Sequence, residues 1–298
     1  MARNSTRLFS YPSLNSGSIL IASIWVLTFF LILSVGLSAI VSSQVRLAGR
    51  IQQRVISQHL ATAACVQTLA KRKEDNKAYD CLYELRQNQK VELGNGQFCY
   101  ILIDEESKVN INTASSDVIK ALLKITSDLS EGSARELAEA IVNYRTTKQI
   151  LHLKEEILNI EEVKKEIFDS FKDFITVYGE KGDININTAS AEVLRANGLD
   201  EGLARNMVEF RQGPDQKEAT QDDAYFETTG EIIDKLRSFR MLTEKQESVL
   251  LSMISNGLIN VKSSNFCLQI ETKVLGKPAM NYRIVLDDKG KIREWVEY

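Results

Sequence analysis

Apolar residues follow one another almost without interruption near the N-terminus of this 298-residue chain. No charged residue lies between Leu8 and Val45, and Ile19 to Val41 supplies about 23 mostly apolar positions. A helix of this length crosses the roughly 30 Å hydrocarbon core of a bilayer. A buried core helix of a soluble domain would carry a polar face, so the pattern predicts one membrane-spanning helix.

The same helix is predicted to continue beyond the apolar span. No proline occurs between Ser13 and Arg72, and a proline is the residue that would break a helix. Apolar residues recur at helical spacing along this stretch. They are Leu47, Ile51, Val55, Leu60, Ala63, Ala64 and Val66. We therefore expect the second half of the helix to lie against a globular head.

A seven-residue repeat lies in the middle of the chain. Val109-Asn-Ile-Asn-Thr-Ala-Ser115 recurs about 75 residues later as Ile184-Asn-Ile-Asn-Thr-Ala-Ser190. A threonine hydroxyl can accept a hydrogen bond from a free amide in the first turn of a helix. The repeat therefore predicts one helix after each copy, with Thr113 and Thr188 as the N-cap residues.

Each copy is predicted to start a small all-helical unit. Asp117 and Glu192 fall in the first turns, where a carboxylate favours the positive end of the helix dipole. Second helices are predicted over Ala134–Tyr144 and Ala204–Phe210, and a polar loop, Gly213–Thr229, extends the second copy. Both units resemble helix-hairpin-helix domains, including those of competence DNA receptors.

Alternating apolar and polar residues at the C-terminus predict an antiparallel meander. Its strands are Leu258–Val261, Phe266–Leu275, Met280–Leu286 and Lys291–Val296, with turns at Gly276–Pro278 and Asp287–Gly290. Phe98–Asp104 is predicted to be an earlier strand of the same sheet, so the helical repeats are inserted into the head. The predicted fold class is α+β, with the long helix packed on a small antiparallel sheet.

The charge distribution bears on nucleic-acid binding. The net charge is -3, but Ser115–Gly257 carries an excess of about nine acidic residues. The predicted hairpins, Leu129–Gly132 and Gly198–Gly202, contain Glu131 and Asp200, whereas a phosphate-binding hairpin needs free amides and basic side chains. A scaffold for protein contacts is therefore favoured over a membrane-anchored DNA receptor, which remains the alternative.

The cysteines form no CxxC pair and no metal-ligand spacing. They are Cys65, Cys81, Cys99 and Cys267. If the body lies in an oxidising compartment, Cys81 and Cys99 are the candidate disulfide pair, the alternative being free or buried thiols.

Catalytic and metal chemistry have little support in the sequence. His59 and His152 belong to no recognisable catalytic constellation, so we expect no enzymatic activity. The carboxylates of Asp222, Asp223 and Glu227 could bind calcium, but acidic surface loops are commonly just solvated, and no metal ligand is assigned.

The residues before the span resemble the leader of a type IV pilin or pseudopilin. A prepilin peptidase cleaves such leaders after a glycine and the new N-terminus is methylated, which here implies cleavage between Gly17 and Ser18 and methylation of Ser18. Asn15-Ser16 replaces the usual basic residue before the glycine, so a permanent signal anchor stays open. Ala22, the fifth residue from Ser18, stands where most pilins have a glutamate.

The whole chain resembles the type II secretion system protein K family of minor pseudopilins, whose members lack that glutamate. The Asp104-Glu105 to Thr113 run, the two Asn-Thr-Ala units and the closing strands carry the rest of the resemblance. It implies five segments: a leader at 1–17, a transmembrane and stalk helix at 18–72, a head at 73–111 completed by 258–298, and an inserted helical domain at 112–257 with repeats at about 112–180 and 187–257.

The resemblance also implies a role. Such a protein would join minor pseudopilins I and J at the tip of the periplasmic pseudopilus, supporting the initiation of its assembly and protein export. It would be processed by prepilin peptidase and span the bacterial inner membrane once, with the N-terminus cytoplasmic because Arg3 and Arg7 precede the span. No cofactor is required, calcium is possible by family analogy, and no nucleic-acid partner is expected.

Overall fold

The computed structural model describes the chain from Ser16 to Tyr298. The leader features at Arg3, Arg7 and Asn15 lie outside the described residues. The chain forms two compact units, one up to Val55 and one over Ile56–Tyr298, and each is described by itself.

A single helix, α1, spans Ser16–Glu74 and confirms the predicted continuous helix. In the first unit, its large apolar side chains between Ile19 and Val41 are all exposed. In the second unit, the helix ends with three basic residues, Lys71–Lys73, in its last turn. Positive charge there complements the negative end of the helix dipole.

The second unit contains one antiparallel sheet of five strands in the order β1-β2-β7-β8-β9. The strands are β1 (Gln89–Leu93), β2 (Gly96–Asp104), β7 (Asn265–Val274), β8 (Lys277–Asp287) and β9 (Ile292–Glu297). A short helix, α2 (Leu82–Arg86), precedes the sheet. The predicted strand over Phe98–Asp104 therefore joins the C-terminal strands, and β2 pairs with β7 along its full length.

The part of α1 within the second unit covers one face of this sheet. Leu60 and Ala64 are buried against Phe98 and Tyr282, as the helical spacing predicted. Val66 does not follow the prediction, because it is 62% exposed, and Leu47, Ile51 and Val55 of the predicted stripe, which belong to the first unit, are exposed as well. A single sheet contacts only one arc of a helix, and Val66 lies outside that arc.

Three details of the sheet were predicted wrongly. The edge strand β1 was not predicted, since its five residues include three polar ones. Lys277 and Pro278 begin β8 instead of lying in the turn. The segment Leu258–Val261 does not join the sheet: its strand β6 (Ile259–Asn260) pairs in parallel with β5 (Ile184–Asn185).

The helical repeats lie in the chain between β2 and β7. The first has β3 (Val109–Asn110), α3 (Ser116–Thr126), α4 (Glu131–Lys148), α5 (Lys165–Phe171) and β4 (Ile175–Thr176); the second has β5, α6 (Ala191–Ala196), α7 (Glu201–Arg211), α8 (Ile232–Phe239), α9 (Glu244–Ser255) and β6. Besides its helices, each repeat has one two-residue parallel ladder, β3 with β4 or β5 with β6. Helix α3 packs on α6, and the two repeats share one hydrophobic core.

Candidate functional site: apolar helix and acidic junction

The first turns of α1 contain the three positions singled out in the sequence. Gly17, Ser18 and Ala22 are helical and exposed. The helix is long and apolar enough to cross a membrane. Ser23 donates its hydroxyl to the carbonyl of Ile19 at 2.9 Å, so this polar side chain is satisfied within the helix and does not oppose a bilayer location.

The two asparagines of the repeat motif fold the chain after the ladder strand. In the first copy, Asn110 Oδ1 accepts a bond from the N–H of Asn112 at 2.9 Å, which closes a local turn. Asn112 then reaches across the repeat, because its amide exchanges bonds with the backbone N–H and C=O of Leu151 at 2.9 Å each. The first Asn therefore shapes the turn, and the second fixes a distant segment.

The second copy reproduces both contacts. Asn185 Oδ1 accepts from the N–H of Asn187 at 3.0 Å. Asn187 is buried and exchanges bonds with the N–H and C=O of Phe226 at 2.8 Å each. An arginine completes each copy: Arg145 donates to the carbonyl of Ile111 and Arg211 to that of Ile186. These contacts explain why the motif recurs as Asn-Ile-Asn.

The predicted N-cap residues were wrong by two positions. Ser115 caps α3 and Ser190 caps α6, each accepting a bond from a backbone N–H in the first turn, at 3.3 and 3.4 Å. Thr113 instead donates to the carbonyl of Asn110 at 3.4 Å. The threonines still lie in the motif's turn, so the helices start two residues later than the motif alone indicated.

Three consecutive buried acidic residues, Asp104, Glu105 and Glu106, lie at the end of β2, where Asp104 is the last residue of the strand, and we call them the acidic junction. Asp104 is 2% exposed. Its Oδ2 accepts bonds from the amide of Asn185 at 3.0 Å and from the hydroxyl of Ser263 at 2.7 Å.

The hydroxyl of Thr188 also donates to Oδ2 of Asp104, while Oδ1 accepts the N–H of Glu106 at 2.8 Å. The end of the sheet is thereby bonded to the second repeat.

The other two carboxylates bind different segments. Glu105 accepts a bond from the hydroxyl of Thr176, in the first repeat, at 2.6 Å, and pairs with Lys108 at 2.7 Å. Glu106 accepts from the side-chain amide of Asn265 at 3.0 Å, at the start of β7. The acidic junction thus connects β2 to both repeats and to the returning strand. This role was not predicted from the sequence; the pattern that could have indicated it is a run of three acidic residues at the end of β2, shortly before the buried ladder strand β3.

Burial raises the pKa of Asp104 to about 7, and the nearby carboxylates of Asp80 and Glu106 act in the same direction. The hydrogen bonds from Thr188 and Ser263 oppose this rise, because they favour the ionised form. Burial also raises the pKa of Glu106. Both carboxylates hold separate segments of the chain together.

The hairpins between the repeat helices are poorly suited to phosphate. Ser130 and Asp200 cap α4 and α7 by accepting bonds from first-turn amides at 3.2 and 2.9 Å, so these amides are already used. Glu131 contacts Lys120 at 3.5 Å and also pairs with Lys124. An approaching phosphate would meet the carboxylates of Glu131 and Asp200, which argues against a helix-hairpin-helix DNA site.

The carboxylates in the acidic loop of the second repeat accept hydrogen bonds from the backbone of the same loop. The carboxylate of Asp222 accepts the N–H of Asp215 at 3.2 Å, and that of Asp223 accepts the N–H of Ala219 at 2.8 Å. Neither carboxylate has Glu227 as a co-ligand: within the part of the chain that the structure describes, no three His, Cys, Asp or Glu side chains are grouped as metal ligands.

Cys81 and Cys99 are free thiols in the structure, as are Cys65 and Cys267. Cys81 is buried at the start of α2, and burial raises its pKa to about 11. Cys99 is half-buried in the middle of β2. The structure therefore places the two candidate residues in different elements and does not join them.

No model of a known protein family matches the sequence, and no curated protein matches it either. Among solved structures, the chain is similar to a chain in the crystal structure of the GspK–GspI–GspJ complex from the type 2 secretion system of enterotoxigenic Escherichia coli, with a TM-score of 0.57 and 15% sequence identity. The match covers 83% of this chain and 94% of the other. The chain therefore has the pilin-like α+β fold of that structure.

Proposed function

We propose that the protein is a minor pseudopilin of a type II secretion system, located at the tip of the periplasmic pseudopilus, where it supports the initiation of assembly and protein export. One observation carries the proposal: a single helix is exposed and mostly apolar over Ile19–Val41 and, from Ile56 onward, covers a small antiparallel sheet. The apolar part suits a bilayer or a bundle of similar apolar helices, and the part from Ile56 onward packs on the sheet of the globular head.

Ala22 and the repeats support a position at the tip. A carboxylate at position 22 would neutralise the amino terminus of a preceding subunit, and Ala22 lacks one. The repeats add about 150 residues between β2 and β7, which is a large and acidic mass for a neighbouring subunit to accommodate. A subunit at the tip has no neighbour beyond it, so it needs no carboxylate at position 22 and its repeats obstruct no further subunit.

The partners in this proposal are minor pseudopilins I and J, because the similar structure is a complex of GspK with GspI and GspJ. Prepilin peptidase would remove the residues up to Gly17 and leave a methylated Ser18. The span would lie in the inner membrane with the N-terminus cytoplasmic and the body periplasmic. We propose no enzymatic activity and no required cofactor.

Mass spectrometry of the protein extracted from membranes tests the processing. The expected mature chain begins with N-methylated Ser18, and a Gly17→Ala variant should remain unprocessed. An intact chain beginning at Met1 in the presence of active prepilin peptidase would instead support a permanent signal anchor.

Co-isolation from cells that also produce minor pseudopilins I and J tests the assembly role. The expected result is a complex of the three proteins, and labelled protein at one end of isolated pseudopili. Label along the whole shaft would refute the tip position. A shift of DNA in a gel at physiological salt, without a complex with I and J, would favour the DNA-receptor alternative.

A further inference from the structure

Two arginines follow the apolar span on one face of α1. Arg46 and Arg50 are both exposed, and a spacing of four places them one turn apart on the same side of the helix. Ser42, Ser43 and Gln53 fall on the same side by helical spacing. This polar face begins directly after Val41, where the apolar span ends.

Helix geometry gives the depth of these side chains. The apolar span of about 23 residues is roughly 34 Å long, slightly more than the hydrocarbon core of about 30 Å. Arg46 is five residues beyond Val41, or roughly 7 Å along the axis, and Arg50 is roughly 13 Å beyond it. Side chains lean towards the N-terminus of a helix, which here means back towards the bilayer. Both guanidinium groups therefore reach the level of the lipid phosphates.

The helix offers these arginines no carboxylate. The sequence contains no Asp or Glu from Ser16 to Lys73, and among the described residues Arg46 and Arg50 make no ion pair with a carboxylate. Arg54, the next arginine of this face, has a partner of its own. Guanidinium binds phosphate through two parallel hydrogen bonds. Because this face directly follows the membrane span, the phosphate groups next to it are those of phospholipid headgroups.

We propose that Arg46 and Arg50 bind the phosphate groups of anionic phospholipids in the leaflet at the Val41 end of the span. The proposal rests on the membrane span of the proposed function and goes beyond it. The two arginines fix how deep the helix sits, and their bonds must break before the subunit can leave the membrane. A basic residue at the surface of an anionic bilayer contributes about fivefold to binding.

Lipid selectivity of the full-length protein in phosphatidylcholine vesicles tests this. Trace spin-labelled phosphatidylglycerol or phosphatidylcholine is added, and the fraction of each label held immobile by the protein is measured by electron paramagnetic resonance. We expect the preference for phosphatidylglycerol to fall at least about threefold in the double variant Arg46→Gln/Arg50→Gln, and to persist in Arg46→Lys/Arg50→Lys. Any contribution of Arg3 and Arg7 is common to all variants.

The double variant Arg135→Gln/Lys245→Gln is the matched control, since it removes two exposed positive charges from the body. It should keep the native preference. An unchanged preference in Arg46→Gln/Arg50→Gln, or an equal loss in the control, overturns the lipid site while leaving the span intact. Failure of the native protein to float with the vesicles would instead overturn the span and with it the proposed function.

Discussion

The side-chain amide of Asn185 donates a hydrogen bond to Asp104 at 3.0 Å, although the two residues are 81 positions apart. The equivalent asparagine of the first copy, Asn110, donates instead to the carbonyls of Tyr178 and Gly179, at 2.9 and 2.8 Å. One sequence motif thus has two different long-range partners. Among the described residues, the second copy of the motif, through Asn185 and Thr188, is the one that bonds to Asp104 at the end of β2.

Asp104 should make the stability of the protein depend on pH. Its pKa is about 7 in the fold and 3.8 ordinarily, so the folded state keeps a proton that the unfolded state has lost between these values. The stabilisation from protonated Asp104 is complete below about pH 4 and declines as the pH rises to about 7. The total change is on the order of 4 kcal/mol. Unfolding of the full-length protein in detergent by urea between pH 5 and 8 measures this.

The variant Asp104→Asn isolates this group from the other acids, because asparagine does not titrate. Glu106 also has a raised pKa and remains in both proteins. The free energy of unfolding of Asp104→Asn, relative to the native protein, should improve steadily from pH 5 to pH 7 and level off above. Parallel pH profiles for the two proteins would contradict the assignment.

Asn187 should be among the most sensitive residues of the repeats. It is buried, and Asn187→Ala removes the partners of both the N–H and the C=O of Phe226. Unpaired buried backbone groups cost about 1–3 kcal/mol each, so we expect a loss of roughly 2–4 kcal/mol in the free energy of unfolding. The control is Asn256→Ala, whose side chain makes an exposed bond of 3.3 Å. A loss no larger than that of the control would show that this contact contributes little.

The serine caps can be separated from the threonines that precede them. Ser115→Ala should destabilise the protein by about 1 kcal/mol, the usual cost of losing an N-cap side chain, and should speed hydrogen exchange at the N–H of Val118, which Ser115 accepts. Thr113→Ala should do neither beyond a few tenths of a kcal/mol, because its 3.4 Å bond to Asn110 is weak. A larger loss of stability in Thr113→Ala than in Ser115→Ala would show that Thr113 is the N-cap residue.

Local patterns predicted the elements whose signals are local. The apolar run and helical spacing predicted α1, and alternation predicted β2, β7 and β9. The acidic junction could not be predicted in this way, because the partners of Asp104 lie 81 to 159 residues away. The prediction that Leu258–Val261 joins the large sheet was wrong for a related reason. Alternation indicates a strand but not the strand with which it pairs, and here that strand is β5.

A carboxylate at position 22 should change where the protein is found in a pseudopilus. Ala22 lies in the exposed apolar part of α1, where a charged side chain costs about 2.5–3.5 kcal/mol unless it is paired. In Ala22→Glu the amino terminus of a preceding subunit would be that pair, so the variant should enter the shaft while the native protein stays at one end. Ala22→Gln has nearly the same size without the charge and should behave like the native protein. Immunogold labelling of isolated pseudopili shows where each variant lies along the filament. Confinement of Ala22→Glu to one end would show that the missing glutamate does not determine the placement of the protein.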